Sequence, residues 1–475
     1  MRSQSVPLGE RLRGARRSLA IGPAFVFLGF LALVLLMGGS ARGDVASLLL
    51  IRPMAALALT YGLLQLFAAK ARGDGPSGLR FLIVAVAAIV VLAAIQLIPL
   101  PPSIWASLPG RAPLVAGHDA AQIVLAWQPL SVTPMATINA LGAVLVPFAV
   151  LVLFAAVDDK ARENAVLIVG VFVGLSAVIE VIQSLVPGSS ALHFYRVTNE
   201  DAPVGLFANR NHHAVMLAAT IPLILAIMAQ FGKAKLAWMG GVASSCVVGL
   251  CMVGLAVMTG SRAGAALSIA AFALTVPLFT YAKLSTQSGV RNWRRKRWAL
   301  ILSPIGIVLI VVAVFLIGGG AAFERIAAKD SFGDLRFQIL PDILAMIAHS
   351  TPLGWGMGSF PEVYEIYERR EMIQPAYINH AHNDWLEIII EGGLALPTIM
   401  AAIAMWTAQN VWRHRRQILR PRGDEGRVRF AGLAGAVILV AGSAFDYPLR
   451  TPSGAVVMVL FLALIAAPHR GSAPS

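Results

Sequence analysis

The segment ATINALGAVLVPFAVLVLFAAV, residues 136–157, decides the fold class of this chain. A helix needs roughly 20 mostly apolar residues to cross a bilayer, and this segment reaches that length without one charged side chain. Similar runs recur along the sequence. We predict spans at 19–37, 47–69, 79–99, 136–157, 164–186, 213–230, 236–258, 263–282, 298–319, 385–407, 430–445 and 454–468. The sequence therefore predicts an all-α polytopic membrane protein, with residues 1–475 forming a single integral membrane domain.

Composition supports this fold class and excludes others. Hydrophobic residues make up 57% of the 475 residues and charged residues only 13%, which is too apolar for a soluble fold of this length. The formal net charge of +14 comes from basic residues between apolar runs, as expected of loops that face anionic lipids. We therefore expect membrane lipids, and not nucleic acid, as partners. Cys246 and Cys251 lie in one apolar run and are predicted to be core residues, not a disulfide or metal pair.

The distribution of lysine and arginine orients the chain. These residues concentrate in both tails and in alternate loops, including the dense runs 291–297 and 413–429, which resist translocation. The N- and C-termini are therefore predicted to be cytoplasmic. The first apolar run follows four arginines, so a signal peptide is the alternative to a retained anchor. We favour the anchor because the run is long and the Gly-Gly-Ser-Ala that follows it is a weak cleavage signal.

Chemically versatile residues gather on the opposite, outer side. Residues 320–384 form a long polar loop that ends in Asn379-His380-Ala381-His382-Asn383-Asp384. An arginine at the end of an apolar helix is costly unless its side chain reaches the headgroups or pairs with an anion. Several arginines on one face favour a bound anion. The candidate residues on this side are Asn209, Arg210, Asn211, Arg262, Arg336, His382, Asp384, Asp446 and Arg450.

The long loop contains two amphipathic stretches. Residues 337–348 and 360–371 alternate apolar and polar positions at helical spacing, which predicts helices lying along the membrane surface. Between them, Pro352-Leu353-Gly354-Trp355-Gly356-Met357-Gly358 has three alternating glycines that permit a tight turn. This turn is not a dinucleotide fingerprint, because the full glycine spacing and a preceding strand are absent.

His382 is the candidate general base. Its unperturbed pKa near 6.5 allows it to accept a proton in an outer compartment, and Asp384 or Glu387 is expected to orient its ring. The alternative is a histidine that only forms structural hydrogen bonds. His380 and His382 could also be metal ligands, but no third ligand stands at a suitable spacing, so we predict no metal.

Six motifs in a fixed order carry a family resemblance. They are Gln96-Leu97-Ile98-Pro99-Leu100-Pro101-Pro102, Gly205-Leu206-Phe207-Ala208-Asn209-Arg210-Asn211-His212-His213-Ala214, Thr259-Gly260-Ser261-Arg262-Ala263-Gly264, Arg336 with the glycine turn 352–358, His380-Ala381-His382-Asn383-Asp384-Trp385-Leu386, and Glu391-Gly392-Gly393-Leu394. From about residue 90 to 455 the chain resembles the O-antigen ligase and polymerase superfamily of bacterial envelope polysaccharide enzymes. The order, spacing and common side of the motifs carry the match, since none is specific alone.

The resemblance implies a fold and a substrate. It implies a type C glycosyltransferase-like helical bundle in the bacterial inner membrane, with a ligase/polymerase core at about 200–410 and a large periplasmic loop over a cavity. The donor would be a glycan on a polyprenyl diphosphate, usually undecaprenyl diphosphate, and the acceptor a hydroxyl. The essential arginines of the family match Arg262 and Arg336, and its essential loop histidine matches His382. Arg210 departs from the family pattern.

Those residue types suit the implied reaction. Guanidinium groups bind a diphosphate bidentately and stay charged, which is the role expected of Arg262 and Arg336. His382 would remove the acceptor proton, and direct attack would invert the anomeric carbon. We predict neither a cofactor nor a metal. Substrate-binding roles are predicted for Asn209, Arg210, Asn211, Asp384 and Arg450.

The acceptor distinguishes several alternatives. A ligase transfers the glycan to lipid A core, a polymerase extends a lipid-linked repeat unit of an exopolysaccharide or O-antigen, and a related branch glycosylates protein. Residues 445–452 slightly favour a polymerase, whereas we adopt the ligase-like function for the superfamily. A transporter or flippase for an anionic solute is the alternative from another class, but the sequence shows no internal repeat. A partner flippase or chain-length regulator is left open.

Overall fold

A computed structural model describes residues 22–71, 78–186, 190–231, 235–287, 336–373, 377–421 and 423–466. The predicted span at 298–319, the basic run 291–297 and the first part of the long loop lie outside these residues.

The regular secondary structure of the described residues is helical, apart from two short strands. In chain order the elements are α1 (Pro23–Met37), α2 (Leu48–Ala71), α3 (Arg80–Ile95), β1 (Pro99–Leu100), α4 (Pro102–Ser107), α5 (Ala112–Ala120), β2 (Gln128–Pro129), α6 (Pro134–Ala156), α7 (Asp159–Leu185), α8 (Arg210–Phe231), α9 (Lys235–Met258), α10 (Arg262–Gln287), α11 (Leu340–Ser350), α12 (Phe360–Tyr367), α13 (Asp384–Gly392), α14 (Ala395–Leu419), α15 (Gly423–Gly442) and α16 (Pro452–Ala466). Single 3₁₀ turns occupy Ser190–Leu192, Arg370–Met372 and Pro448–Arg450.

Several helices meet the requirements for crossing a membrane. Among the described residues, five are long and apolar enough: α2, α6, α7, residues Arg210–Ala229 of α8 and residues Arg262–Phe279 of α10. Shorter apolar helices are α1, α3, α16 and residues Ser244–Met258 of α9. The prediction of a helical membrane protein is confirmed, whereas the count of twelve spans stays a prediction.

One predicted span is wrong in its continuity. Residues 385–407 were expected to form one helix, but the chain breaks between α13 and α14 at Gly393, whose φ is +56°. A Cβ at Gly393 would lie 2.1 Å from the carbonyl oxygen of Pro352, so the break allows the loop backbone to approach closely. Leu394 N–H then donates to the same carbonyl at 2.9 Å. The helix pair therefore turns where the long loop docks.

Two helices form the centre of the bundle. α6 packs against α1, α2, α3 and α16, and α8 packs against α9, α10 and α15. The membrane-length part of α8 is 78% buried, the highest value among the five long apolar helices.

The predicted core position of Cys251 is wrong, because this thiol is exposed on α9, while Cys246 is half-buried. Both cysteines are free thiols.

Loops that are distant in sequence meet at one end of the bundle. Ser453 N–H donates to Gly38 O at 3.0 Å, and Ala208 N–H donates to Gly39 O at 3.1 Å. Asp384 N–H donates to Ser443 O at 2.9 Å at the same end. The candidate residues before α8, before α13 and after α15 therefore share one side, as the sequence predicted.

The glycine turn 352–358 holds the long loop against the segment between α3 and α6. Gly354, Gly356 and Gly358 all have positive φ, as the predicted tight turn requires. The amide of Gln96 spans the contact: its Nε2 donates to Glu391 O at 3.0 Å and its Oε1 accepts from Met357 N–H at 2.9 Å. Long-range hydrogen bonds thus fix the turn on both sides.

Replacing Gly356 by alanine is expected to destabilise the protein by about 2 kcal/mol or more. The new Cβ would lie 2.2 Å from Ser131 Oγ, at a φ of +112°. Thermal unfolding in detergent measures the effect. Gly174→Ala in α7 is the control, because a Cβ there meets nothing within 4 Å. An equal melting temperature for Gly356→Ala and the wild type would contradict the tight fit.

Candidate active site

Asp446 is the centre of the candidate site. It is buried in the turn after α15, with 2% of its surface exposed. Its carboxylate accepts a 2.7 Å hydrogen bond from Asn211 Nδ2, and its Oδ1 lies 3.3 Å from His382 Nδ1. The Tyr447 N–H also donates to Oδ1, at 3.1 Å. One carboxylate therefore joins the start of α8, the loop before α13 and the turn after α15.

A second histidine faces the same carboxylate. His212 Nε2 lies 3.8 Å from Asp446 Oδ1, an electrostatic contact that is longer than a hydrogen bond. Burial alone would raise the pKa of Asp446, but the imidazoles of His212 and His382 hold it well below its usual range. Asp446 is therefore an anion at neutral pH, and its Oδ1 can accept a hydrogen bond from His382 Nδ1.

This geometry gives His382 a defined ring orientation. When Nδ1 carries the proton shared with Asp446, the lone pair of the neutral ring is on Nε2, the tautomer that a general base needs. The carboxylate that orients the ring is Asp446. The prediction that Asp384 or Glu387 has this role is therefore wrong. His382 itself has a φ of +49°, a left-handed conformation uncommon for a non-glycine residue. A constrained backbone and a buried anion thus position this imidazole.

The ring of Tyr447 packs among three histidines. Its centroid lies 4.1 Å from that of His380, 4.7 Å from His212 and 5.2 Å from His382. Burial and the charge of Asp446 raise the pKa of Tyr447, so its hydroxyl stays protonated. That hydroxyl also interacts with the side chains of Asn379 and Asn209. Tyr447 therefore links both asparagine-containing motifs to the histidines.

A second charged cluster surrounds Arg450. Its guanidinium contacts three buried carboxylates: Asp384 Oδ1 at 3.3 Å, Glu387 Oε1 at 3.3 Å and Glu391 Oε2 at 3.0 Å. His380 Nδ1 lies 2.8 Å from Glu387 Oε1. The predicted substrate-binding residues Asp384 and Arg450 therefore face each other, and Arg450 anchors α13 to the turn after α15.

Too many carboxylates share this arginine for all of them to ionise easily. Burial raises the pKa of Asp384 to about 7, against the opposing charge of Arg450. Burial likewise raises the pKa of Glu391 to about 7. Near neutral pH the cluster therefore holds protons that the unfolded chain has already released.

Sequence reasoning missed a buried acid inside the bundle. Glu180 lies on α7, fully buried, and its Oε2 is 2.9 Å from His213 Nε2. One turn earlier, Ser176 Oγ accepts from Leu206 N–H at 3.0 Å and lies 3.3 Å from His213 Nδ1. Three residues after Glu180, Gln183 Oε1 accepts from the N–H groups of Val204 and Gly205, both at 2.8 Å. This polar face of α7 holds the chain that leads into α8.

The predicted arginines lie on different elements. Arg262 begins α10 and is exposed. The first turn of α10 lies against α8, because a Cβ at Gly264 would meet the Ala214 Cβ at 2.3 Å. Arg336 is half-buried before α11, and its Nε has no hydrogen-bond partner within the described residues. Arg210 pairs with Asp201 at 3.6 Å. The structure thus brings Asn209, Asn211 and His382 together around Asp446 and Tyr447, whereas Arg262, Arg336 and Arg210 stay predicted site residues.

Within the part of the chain that the structure describes, no group of three or more His, Cys, Asp or Glu side chains is arranged to hold a metal ion.

Comparison with known proteins gives one family. Residues 247–401 match the protein-family model Wzy_C, described as O-antigen ligase. The matched region contains α10 with Arg262, then Arg336, and the loop with His382. The predicted resemblance to the O-antigen ligase and polymerase superfamily is therefore confirmed over residues 247–401. No curated protein matches the chain at a significant level.

The raised pKa values in the Arg450 cluster predict a pH-dependent stability. Because the folded pKa of Glu391 exceeds the unfolded value, its contribution is complete at low pH and is lost as pH rises through about 7. His380 in the same cluster has a lowered pKa and acts in the opposite direction, so the test is the difference between variants. From about pH 5 to about pH 8, we expect the wild type to lose stability relative to Glu391→Gln, as measured by the difference between their melting temperatures. Glu163→Gln, at an exposed position on α7, is the control and should keep the wild-type slope. Identical slopes in both variants would contradict the assignment.

Proposed function

We propose that the protein is an O-antigen ligase-like glycosyltransferase that moves a glycan from a polyprenyl diphosphate to an acceptor hydroxyl, such as that of lipid A core. The pairing of His382 with Asp446 supports this proposal, because it supplies an oriented base at the end of the bundle that carries the family motifs. The family match at residues 247–401 supports the reaction class.

Two properties of the donor reduce what the protein must supply. The diphosphate is already a good leaving group, so no protein nucleophile and no covalent intermediate are needed. Arg262 and Arg336 would bind the diphosphate oxygens and neutralise the charge that grows on them as the glycosidic bond breaks. In this proposal the bond between the anomeric carbon and the diphosphate oxygen breaks as the bond between that carbon and the acceptor oxygen forms.

His382 would accept the acceptor proton during that attack. The lone pair on Nε2 would receive the proton, and Asp446 would stabilise the resulting imidazolium through Nδ1. Attack from the face opposite the diphosphate would invert the anomeric carbon. Asn209, Arg210, Asn211, Asp384 and Arg450 would shape the surrounding substrate site, Arg450 acting through the position of α13. The proposed mechanism is metal-independent.

Placement in the membrane follows the same proposal. The end of the bundle that carries the candidate site would face the periplasm at a bacterial inner membrane, and both termini would lie in the cytoplasm. Residues 320–384 would form the periplasmic loop of a type C glycosyltransferase-like bundle of twelve spans, and about 200–410 the catalytic core. A polymerase that joins lipid-linked repeat units of an exopolysaccharide or O-antigen is the second candidate, since the superfamily supports either activity. A flippase or chain-length regulator would be a natural partner.

Reconstitution tests the proposed activity together with the role of His382. In liposomes supplied with a polyprenyl-diphosphate-linked glycan and an acceptor, the wild type should transfer glycan and release polyprenyl diphosphate, also with a strong chelator present. His382→Ala should lose about 10²-fold to 10⁴-fold in rate, the usual contribution of a general base. Asp446→Asn should also be slow. His414→Ala, on α14 outside the site, is the control.

Full transfer by folded His382→Ala would exclude it as the base. In cells lacking the protein, accumulation of single lipid-linked repeat units would indicate the polymerase, and accumulation of long unattached chains the ligase.

Arg262→Lys and Arg336→Lys should each lower the transfer rate by about 10-fold or more, because an ammonium cannot form the bidentate contacts of a planar guanidinium. The same liposome assay measures this loss, together with the KM for the lipid-linked donor. Arg413→Lys, an exposed position on α14, should behave as the wild type. Normal transfer by both site variants would show that these arginines only anchor their helices.

A further inference from the structure

An exposed apolar segment lies between α5 and β2. α5 ends in a reversal at Gln122, whose φ is +55°, and Ile123 N–H donates back to His118 O at 2.9 Å. Residues 123–127 then continue without regular structure to β2. β2 pairs with β1, which follows the end of α3 closely, and α6 begins at Pro134. The segment is therefore tied to the ends of two apolar helices.

Its side chains are unusually exposed for their chemistry. The exposed fractions are 59% for Ile123, 89% for Val124 and 63% for Trp127. Three large apolar side chains within five residues, none belonging to a membrane-length helix, form a surface that water solvates poorly. They therefore need a cover that the chain itself does not provide among its described residues.

The surrounding sequence specifies the chemistry of that cover. From Ala120 to Val157 the chain contains no Asp, Glu, Lys, Arg or His. The apolar exposure continues onto the first turns of α6, where Met135 is 73% and Ile138 is 48% exposed. A protein interface of this kind would carry a polar rim, whereas an uncharged apolar segment with a tryptophan suits the boundary between headgroups and acyl chains.

We propose that residues 123–127 insert into the headgroup region of the outer face of the bilayer. This insertion would hold the long loop at a fixed depth relative to the membrane. The part of the chain that contains this segment also contacts Trp355 of the long loop. Val132 N–H donates to Trp355 O at 3.0 Å, and the guanidinium of Arg111 lies over the rings of Trp105 and Trp355, 5.5 and 5.1 Å from their centroids. The depth of residues 123–127 in the lipid would therefore determine the depth of the glycine turn 352–358. This turn contacts the backbone of Glu391 in α13.

Spin labelling of the full-length protein in lipid nanodiscs tests this. In a background with Cys246→Ala and Cys251→Ala, a nitroxide is attached at Val124→Cys, and its collisions with oxygen, which partitions into lipid, are compared with those of a water-soluble nickel chelate. Two reference sites bracket the result. Val171→Cys, 71% exposed on the spanning helix α7, reports lipid, and Asp119→Cys, exposed on α5, reports water.

The label at position 124 should resemble the one at 171, with high oxygen and low nickel accessibility. Accessibility like that at position 119 would overturn the proposal, because the segment would then face water. Low accessibility to both reagents would also overturn it, since a second copy of the chain would then cover the segment. Because Val124 is almost fully exposed, the label itself does not disturb packing, and the wild-type melting temperature serves as the folding check.

Discussion

The arrangement at the site end depends on one buried anion, the carboxylate of Asp446. A carboxylate without water is stable only when nearby groups compensate its charge, and here a histidine, an asparagine and a backbone N–H do so. Each donor comes from a different part of the chain. The same requirement that stabilises the charge therefore brings the start of α8, the loop before α13 and the turn after α15 together.

The cluster around Arg450 has the opposite composition. There, three acids share one arginine, and burial keeps two of them near the point of protonation at neutral pH. The two clusters are four residues apart in the turn after α15, and His380 contributes to both, through Glu387 and through the ring of Tyr447. A histidine-rich face and an acid-rich face thus meet across one short turn. We therefore expect a change of charge in the Asp446 cluster to shift the pKa values of acids in the Arg450 cluster, and the reverse.

The sequence predicted the helices better than the site. Apolar length predicted the apolar helices α1 to α3, α6 to α10, α15 and α16, and three alternating glycines predicted the turn 352–358, because both signals are local. The adjacent glycines 392 and 393 are a local signal for the break, but they lie inside an apolar run that is long enough for one span. Asp446 could not be assigned as the partner of His382, since the two residues are 64 positions apart and Asp384 and Glu387 stood closer in sequence. Glu180 has one local signal in the sequence, because it is a lone acid in an apolar helix.

Glu180 has a consequence for how the chain is made. Glu180 places a carboxyl group within an apolar helix that is long enough to cross a membrane, and its partner His213 is synthesised 33 residues later, near the start of α8. Until α8 arrives, that acid has no compensating imidazole and resists release into lipid. We therefore expect α7 and α8 to enter the bilayer together, because His213 on α8 supplies the polar partner of Glu180 on α7.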